Sequence, residues 1–111
     1  MYIGGAFPRT ESGRFYKVFN NEDELIANAC LASRKDFRNA VESARSAFSG
    51  WNGRNAYNRG QILYRIAEMM ESRRNEFEKE LTAIGFTTNE ARADVNASID
   101  RLIYYAGWTD K

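Results

Sequence analysis

A chain of 111 residues bounds the answer to one domain or part of one. Its 43% apolar and 14% aromatic content excludes disorder, which needs low hydrophobicity and high net charge. Sixteen basic against fifteen acidic residues leave a net charge of +1, which excludes a strong electrostatic partnership with nucleic acid or an anionic membrane.

Residues 1–31 have strand character. Tyr2-Ile3-Gly4-Gly5-Ala6-Phe7-Pro8 mixes aromatic and branched residues with turn formers, and Glu11-Ser12-Gly13 reads as a turn. Phe15-Tyr16-Lys17-Val18-Phe19 is rich in strand formers and can pair back as a hairpin. Asn20-Asn21-Glu22-Asp23 is a second turn, and Leu25 to Leu31 is a weaker strand candidate whose alanines leave a helix open.

Residues 33–111 read as three amphipathic helices. Ser33 and Asp36 have the spacing of an N-cap and its reciprocal carboxylate, so the first helix starts there. Phe37, Ala40, Val41, Ala44, Ala47 and Phe48 then fall on one face. Ser49 to Gly53 breaks the pattern. A longer helix runs from Asn55, itself an N-cap, with Ile62, Leu63, Ile66, Met69, Met70, Phe77, Leu81 and Ile84 as its stripe and Gly85 as its terminating glycine. Thr87 and Glu90 repeat the capping spacing. Ala91, Val95, Ile99, Leu102, Ile103 and Ala106 follow, and Gly107 ends the third helix. The fold class is therefore mainly α (α+β), a short N-terminal β-hairpin followed by three helices. The aromatic cluster Tyr104, Tyr105 and Trp108 extends beyond its stripe, which predicts a surface wanting cover on more than one side.

The residue inventory removes most chemistry. There is no histidine and one cysteine, which excludes a disulfide framework, the usual zinc ligand sets and Ser–His–Asp or Cys–His catalysis. Cys30 lies in a strand candidate and reads as a buried structural thiol rather than a nucleophile. Asp94 and Asp100 are six apart and share no helix face; Glu90 and Asp94 are four apart but read as a capping carboxylate and a solvated acid. Met69 and Met70 read as core filler, Arg73-Arg74 as a solvated face, and the three aromatics as packing rather than a ligand platform. No Gly-rich phosphate loop occurs. No signal peptide follows Met1, and no stretch approaches the ~20 apolar residues of a membrane span, so a soluble cytoplasmic protein is expected.

Several short motifs stand in a distinctive order. They are Tyr2-Ile3-Gly4-Gly5; Ala40-Val41, Ala44, Ala47-Phe48 and Trp51; Arg59-Gly60, Leu63, Arg65-Ile66-Ala67; Glu90-Ala91-Arg92-Ala93-Asp94-Val95; and Tyr104-Tyr105-Ala106-Gly107-Trp108 with Asp110-Lys111. In this order the chain resembles the N-terminal segment of the aldehyde dehydrogenase superfamily, the strands and first helices that precede the dinucleotide-binding sheet. Two turns depart from it. Asn20 to Glu24 replaces the family's Asn-Pro-x-Thr-Gly-Glu, and Gly85-Phe86-Thr87 replaces its Gly-Lys-Pro. Ala83 stands where some members place an acid for a structural cation, which argues against that site.

The resemblance implies that a parent enzyme would oxidise aldehydes through a cysteine thiolate, an asparagine and a glutamate base, with NAD or NADP as hydride acceptor. All of these follow the matched segment. The expectation is thus an N-terminal fragment with no catalytic, cofactor-binding or metal-binding residue of its own, inactive alone, packing on the remainder of its parent, and self-associating through apolar helix faces. The alternative is a stand-alone helical interaction or dimerisation module. An open reading frame beyond the Lys111 codon would favour the first and a stop codon the second.

Overall fold

A computed structural model describes every residue, Met1–Lys111. The chain divides into two compact units, Met1–Gly53 and Arg54–Lys111.

The first unit holds strands β1 (Phe15–Phe19) and β2 (Leu25–Cys30) and helix α1 (Arg34–Asn52). The strands pair antiparallel, Phe15 opposite Cys30 and Val18 opposite Ala27, with a bulge at Val18/Phe19 that sets Phe19 against Leu25. Asn20 builds the connection: its carboxamide oxygen accepts from the Glu22 and Glu24 amides at 2.9 and 2.8 Å. Asp23 takes the left-handed conformation this tight return requires (φ 59°). The partner of β1 is therefore β2. The Tyr2–Pro8 stretch, read as strand-like, forms only the isolated Ile3–Ala6 bridge around Gly4 and Gly5. Both glycines have positive φ (61° and 81°), the signature of a two-residue primed turn that few other residues adopt.

Helix α1 starts as the spacing predicts. The Asp36 amide donates to Ser33 Oγ at 3.2 Å, and the Ser33 amide donates to Asp36 Oδ2 at 2.8 Å. The Asp36 carboxylate also receives the Thr10 hydroxyl at 2.5 Å and the Glu11 amide at 3.2 Å. Thr10 and Asp36 are the buried residues of this unit, and no hydrophobic side chain in it is buried. A polar clasp holds the unit where an apolar core would be expected.

The second unit holds α2 (Ala56–Ser72), α3 (Arg74–Ala83) and α4 (Thr88–Ala106). Asn55 caps α2, accepting from the Asn58 amide at 2.7 Å. The stretch read as one helix from Asn55 to Ile84 is two, broken at Arg73 (φ −111°, ψ 17°). Packing explains the break, since no proline or glycine marks it. In an unbroken helix Leu81 would lie about 21 Å along the axis from Ala67. Here both pack in one cluster of Ala67, Val95 and Ile99, flanked by Met70, Leu81 and Leu102. Burial outweighs the local preference to continue the helix.

Gly85 (φ 108°) ends α3 as expected. Its amide donates to the Thr82 carbonyl at 3.1 Å and the Phe86 amide to the Leu81 carbonyl at 3.1 Å, the paired bonds of a Schellman terminus. Thr87 and Glu90 form the second capping box, and Gly107 caps α4 in a right-handed conformation (φ −73°). The fold is mainly α with a short N-terminal hairpin.

Candidate functional site

The residues with potential chemistry stand apart. Cys30 is half-buried rather than buried, because a two-stranded sheet leaves it uncovered on one side. Glu90 is spent on its cap: its carboxylate accepts the Thr87 hydroxyl at 2.7 Å and amide at 2.9 Å, and those bonds hold it below its ordinary value. Asp94 and Asp100 are exposed. Arg73 pairs with Glu76 at 2.5 Å, and Arg74 with Glu71 at 2.6 Å and with the Asn96 carboxamide, so the basic pair is a solvated, ion-paired face. Asp36 lies well below the usual carboxylate range because it accepts bonds from the Ser33 amide, the Thr10 hydroxyl and the Glu11 amide. No three His, Cys, Asp or Glu side chains converge as metal ligands.

Helix N-termini bind phosphate through unspent amides. Here α1, α2 and α4 each commit one such amide to a capping side chain, Ser33, Asn55 and Thr87, while α3 has no side-chain cap; α1, α3 and α4 carry a carboxylate in the first turn that would repel phosphate.

The built feature lies where the start of α2 meets the end of α4. Gly60 makes it possible: a Cβ there would stand 2.9 Å from Thr109 Oγ1 and 3.0 Å from the Ala106 carbonyl oxygen. Only glycine lets the helices approach so closely. Arg59 fastens the same junction, donating from its guanidinium to the Thr109 carbonyl at 3.2 Å and to the Arg54 carbonyl at 2.5 Å. Thr109 in turn donates to the Ala106 carbonyl at 3.1 Å. Beside this junction is an apolar groove of about 680 Å3 between Tyr57, Gln61 and Tyr64 on α2 and Ile103 and Ala106 on α4.

Outside the groove, Tyr104 packs edge-on against Tyr105 (centroids 5.3 Å) and tilted against Trp108 (5.8 Å). Lys111 Nζ stands 5.6 Å from the Trp108 ring. The three rings nevertheless remain 57%, 60% and 51% exposed.

Two motifs some forty residues apart, Arg59-Gly60 and Tyr104 to Trp108, thus explain one another through a single helix junction. The aldehyde dehydrogenase family model matches residues 7–111 and spans both motifs. The chain belongs to the aldehyde dehydrogenase family. It corresponds to the N-terminal region of the family's enzymes. It is 35% identical over 116 residues to the cytosolic 10-formyltetrahydrofolate dehydrogenase of Mus musculus, aligning 100% of this chain with 13% of that protein. It is 31% identical over 113 residues to the D-glyceraldehyde dehydrogenase (NADP(+)) of Thermoplasma acidophilum, aligning 100% with 23%. Among solved structures, a betaine aldehyde dehydrogenase from Staphylococcus aureus in complex with NAD+ superposes with a TM-score of 0.92 at 26% identity, over 99% of this chain and 23% of that one. A NAD-dependent benzaldehyde dehydrogenase from Corynebacterium glutamicum gives 0.92 at 29% identity, over 97% and 24%. The chain therefore spans only 13% to 24% of the length of these family members.

The uncovered surface has a size. The chain exposes 8826 Å2, against roughly 7500 Å2 for two separate compact globules of half its mass. Helix α2 shows where part of that excess lies. Leu63, Ala67 and Met70 face inward, while Ile66 and Met69 form a second apolar face with Phe77 beside a hollow of about 270 Å3. In α1, Phe37, Val41, Phe48 and Trp51 are exposed along one helix. Sequence reasoning found these stripes but not the inward role of Ala67, which only its smallness signalled, nor that of Gly60.

Proposed function

We propose that this chain is the structural N-terminal part of an NAD(P)-dependent aldehyde dehydrogenase, an oxidoreductase acting on aldehydes, and that the catalytic and cofactor-gripping groups belong to the rest of that enzyme. Residues 1–31 and 33–111 then form one partial domain. The observation that carries the reading is the pairing of a 0.92 superposition on enzymes four times longer with apolar faces left in solvent on α1 and α2. The exposed stripes act as a lining that other parts of the enzyme cover, removing apolar area from water at about 25 cal/mol per Å2. The names of the relatives support NAD or NADP as hydride acceptor and, for the mouse relative, a cytosolic setting. We place the parent in the cytoplasm on that basis. No helix of the chain is long and apolar enough to cross a membrane.

Two experiments test the reading. Grafting this chain in place of the matching segment of the Staphylococcus betaine aldehyde dehydrogenase should retain NAD-dependent aldehyde oxidation; a folded but inactive graft would count against it. The isolated chain should show no NAD-dependent oxidation, and measurable turnover would overturn the assignment of chemistry to the remainder.

A further inference from the structure

The segment from Met1 to Glu11 is tied down without burying any large apolar side chain. Tyr2 and Phe7 pack on each other, with centroids 5.0 Å apart, yet remain 65% and 84% exposed. The segment meets α1 at two points. At one, Gly4 approaches so closely that a Cβ would stand 3.3 Å from Ser43 Oγ. At the other, the Thr10 hydroxyl and Glu11 amide close on the Asp36 carboxylate at 2.5 and 3.2 Å. Asp36 and Ser43 are about two helical turns apart. The Lys35–Glu11 pair at 2.8 Å is exposed and adds little.

We propose that Ile3–Glu11 is a strap latched on Asp36, and that it opens as a unit, baring the Asp36–Ser43 side of α1, while α2, α3 and α4 stay folded. Local opening is favoured where few apolar contacts are buried, and the only buried residue of this segment is Thr10. The latch centres on one carboxylate, which takes both the Thr10 hydroxyl and the Glu11 amide, and the Thr10 hydroxyl also lies 3.4 Å from the Leu31 carbonyl. The apolar cluster of Ala67, Val95 and Ile99 contains no residue of the strap, so it has no reason to open with it.

Limited trypsin digestion of the full chain tests this, because Arg9 lies in the strap beside the latch and is exposed, whereas the Arg14 carbonyl is held by the Leu31 amide at 3.0 Å. Thr10→Val removes the hydroxyl and leaves the Ser33–Asp36 cap intact, so it separates latch from cap. Cleavage after Arg9, inside the strap, should rise about ten- to a hundredfold, the range for unmaking a buried hydrogen bond. Thr10→Ser should stay near the wild-type rate. Hydrogen exchange of the α2 and α4 amides should be unchanged in all variants. Asp36→Ala should open the strap at least as far, since it removes both latch bonds together with the bond from the Ser33 amide. An unchanged cleavage rate in Thr10→Val, or loss of α2 and α4 protection along with the strap, would overturn the proposal.

Discussion

Gly60 offers the sharpest test of the helix junction, because two opposed effects can be separated there. Replacing glycine by alanine inside a helix normally stabilises by about 1 kcal/mol, through lower backbone entropy in the unfolded chain. At Gly60 the added methyl would meet Thr109 Oγ1 at 2.9 Å and the Ala106 carbonyl oxygen at 3.0 Å. The hydroxyl can rotate away, but the carbonyl is backbone and moves only with α4. Overpacking of this kind costs about 1–3 kcal/mol. Gly60→Ala should therefore be destabilising by up to about 2 kcal/mol. Gly50 is the internal control, since it lies in α1 with nothing within 4 Å of an added Cβ. Gly50→Ala should stabilise its helix by roughly 0.5–1 kcal/mol. Urea denaturation combined with amide exchange reads each unit separately. Adding Thr109→Ala to Gly60→Ala should recover part of the loss, a coupling expected of residues in contact. If Gly60→Ala stabilises α2 as much as Gly50→Ala stabilises α1, the close approach of α2 to α4 is wrong.

Ser33→Ala and Thr87→Ala should each cost about 1 kcal/mol, seen as earlier exchange of the first-turn amides of α1 and α4; unchanged protection would mean the caps are ornamental. The Asp36 carboxyl is held below its ordinary value of 3.8, so its contribution is complete above about pH 4 and declines as pH falls further. Acid titration followed by exchange of the Glu11 and Ser33 amides should show their protection lost only below that point, with Glu11 and Lys35 the nearest other charges; loss centred above pH 5 would refute the clasp. The isolated chain should self-associate, with a light-scattering mass above that of the monomer that rises with concentration; a clean monomer at high concentration would mean its apolar faces are satisfied. NAD should raise the melting temperature by no more than a degree or two, and a larger shift would count against assigning cofactor binding to the rest of the enzyme.

The parts of the fold that were legible in the sequence are those written locally. Both capping boxes, the Asn55 cap, the Gly85 terminus and the α4 stripe depend on residues three or four positions apart, so spacing reveals them. The break at Arg73 carries no local mark, because it exists to bring Leu81 back onto the cluster containing Ala67. The sequence leaves the partner of β1 open for a related reason. Residues 2–8 and 25–30 offer similar strand composition, and the choice rests on the Asn20 side chain closing the nearer turn. Gly60 was visible as part of a motif but not as a contact, since its meaning depends on Ala106 and Thr109 across the junction.

The two units also differ in what holds them, and that difference bears on how the chain can behave alone. The second unit buries Ala67, Val95 and Ile99 in one small apolar cluster, and Ala91 besides. The first buries only Thr10 and Asp36. Hydrogen bonds exchanged with water return about 1 kcal/mol net each, which scarcely offsets the ~1–2 kcal/mol of backbone entropy lost per ordered residue. A two-stranded sheet is marginal by itself as well. Helix α1 nevertheless carries a full apolar stripe, so the material for a core is present and faces solvent. The first unit is thus specified by polar geometry but must draw its stability from burial of that stripe. A covering surface on α1 would stabilise the first unit more, in proportion, than the second, which already buries Ala67, Val95 and Ile99 while leaving Ile66, Met69 and Phe77 exposed.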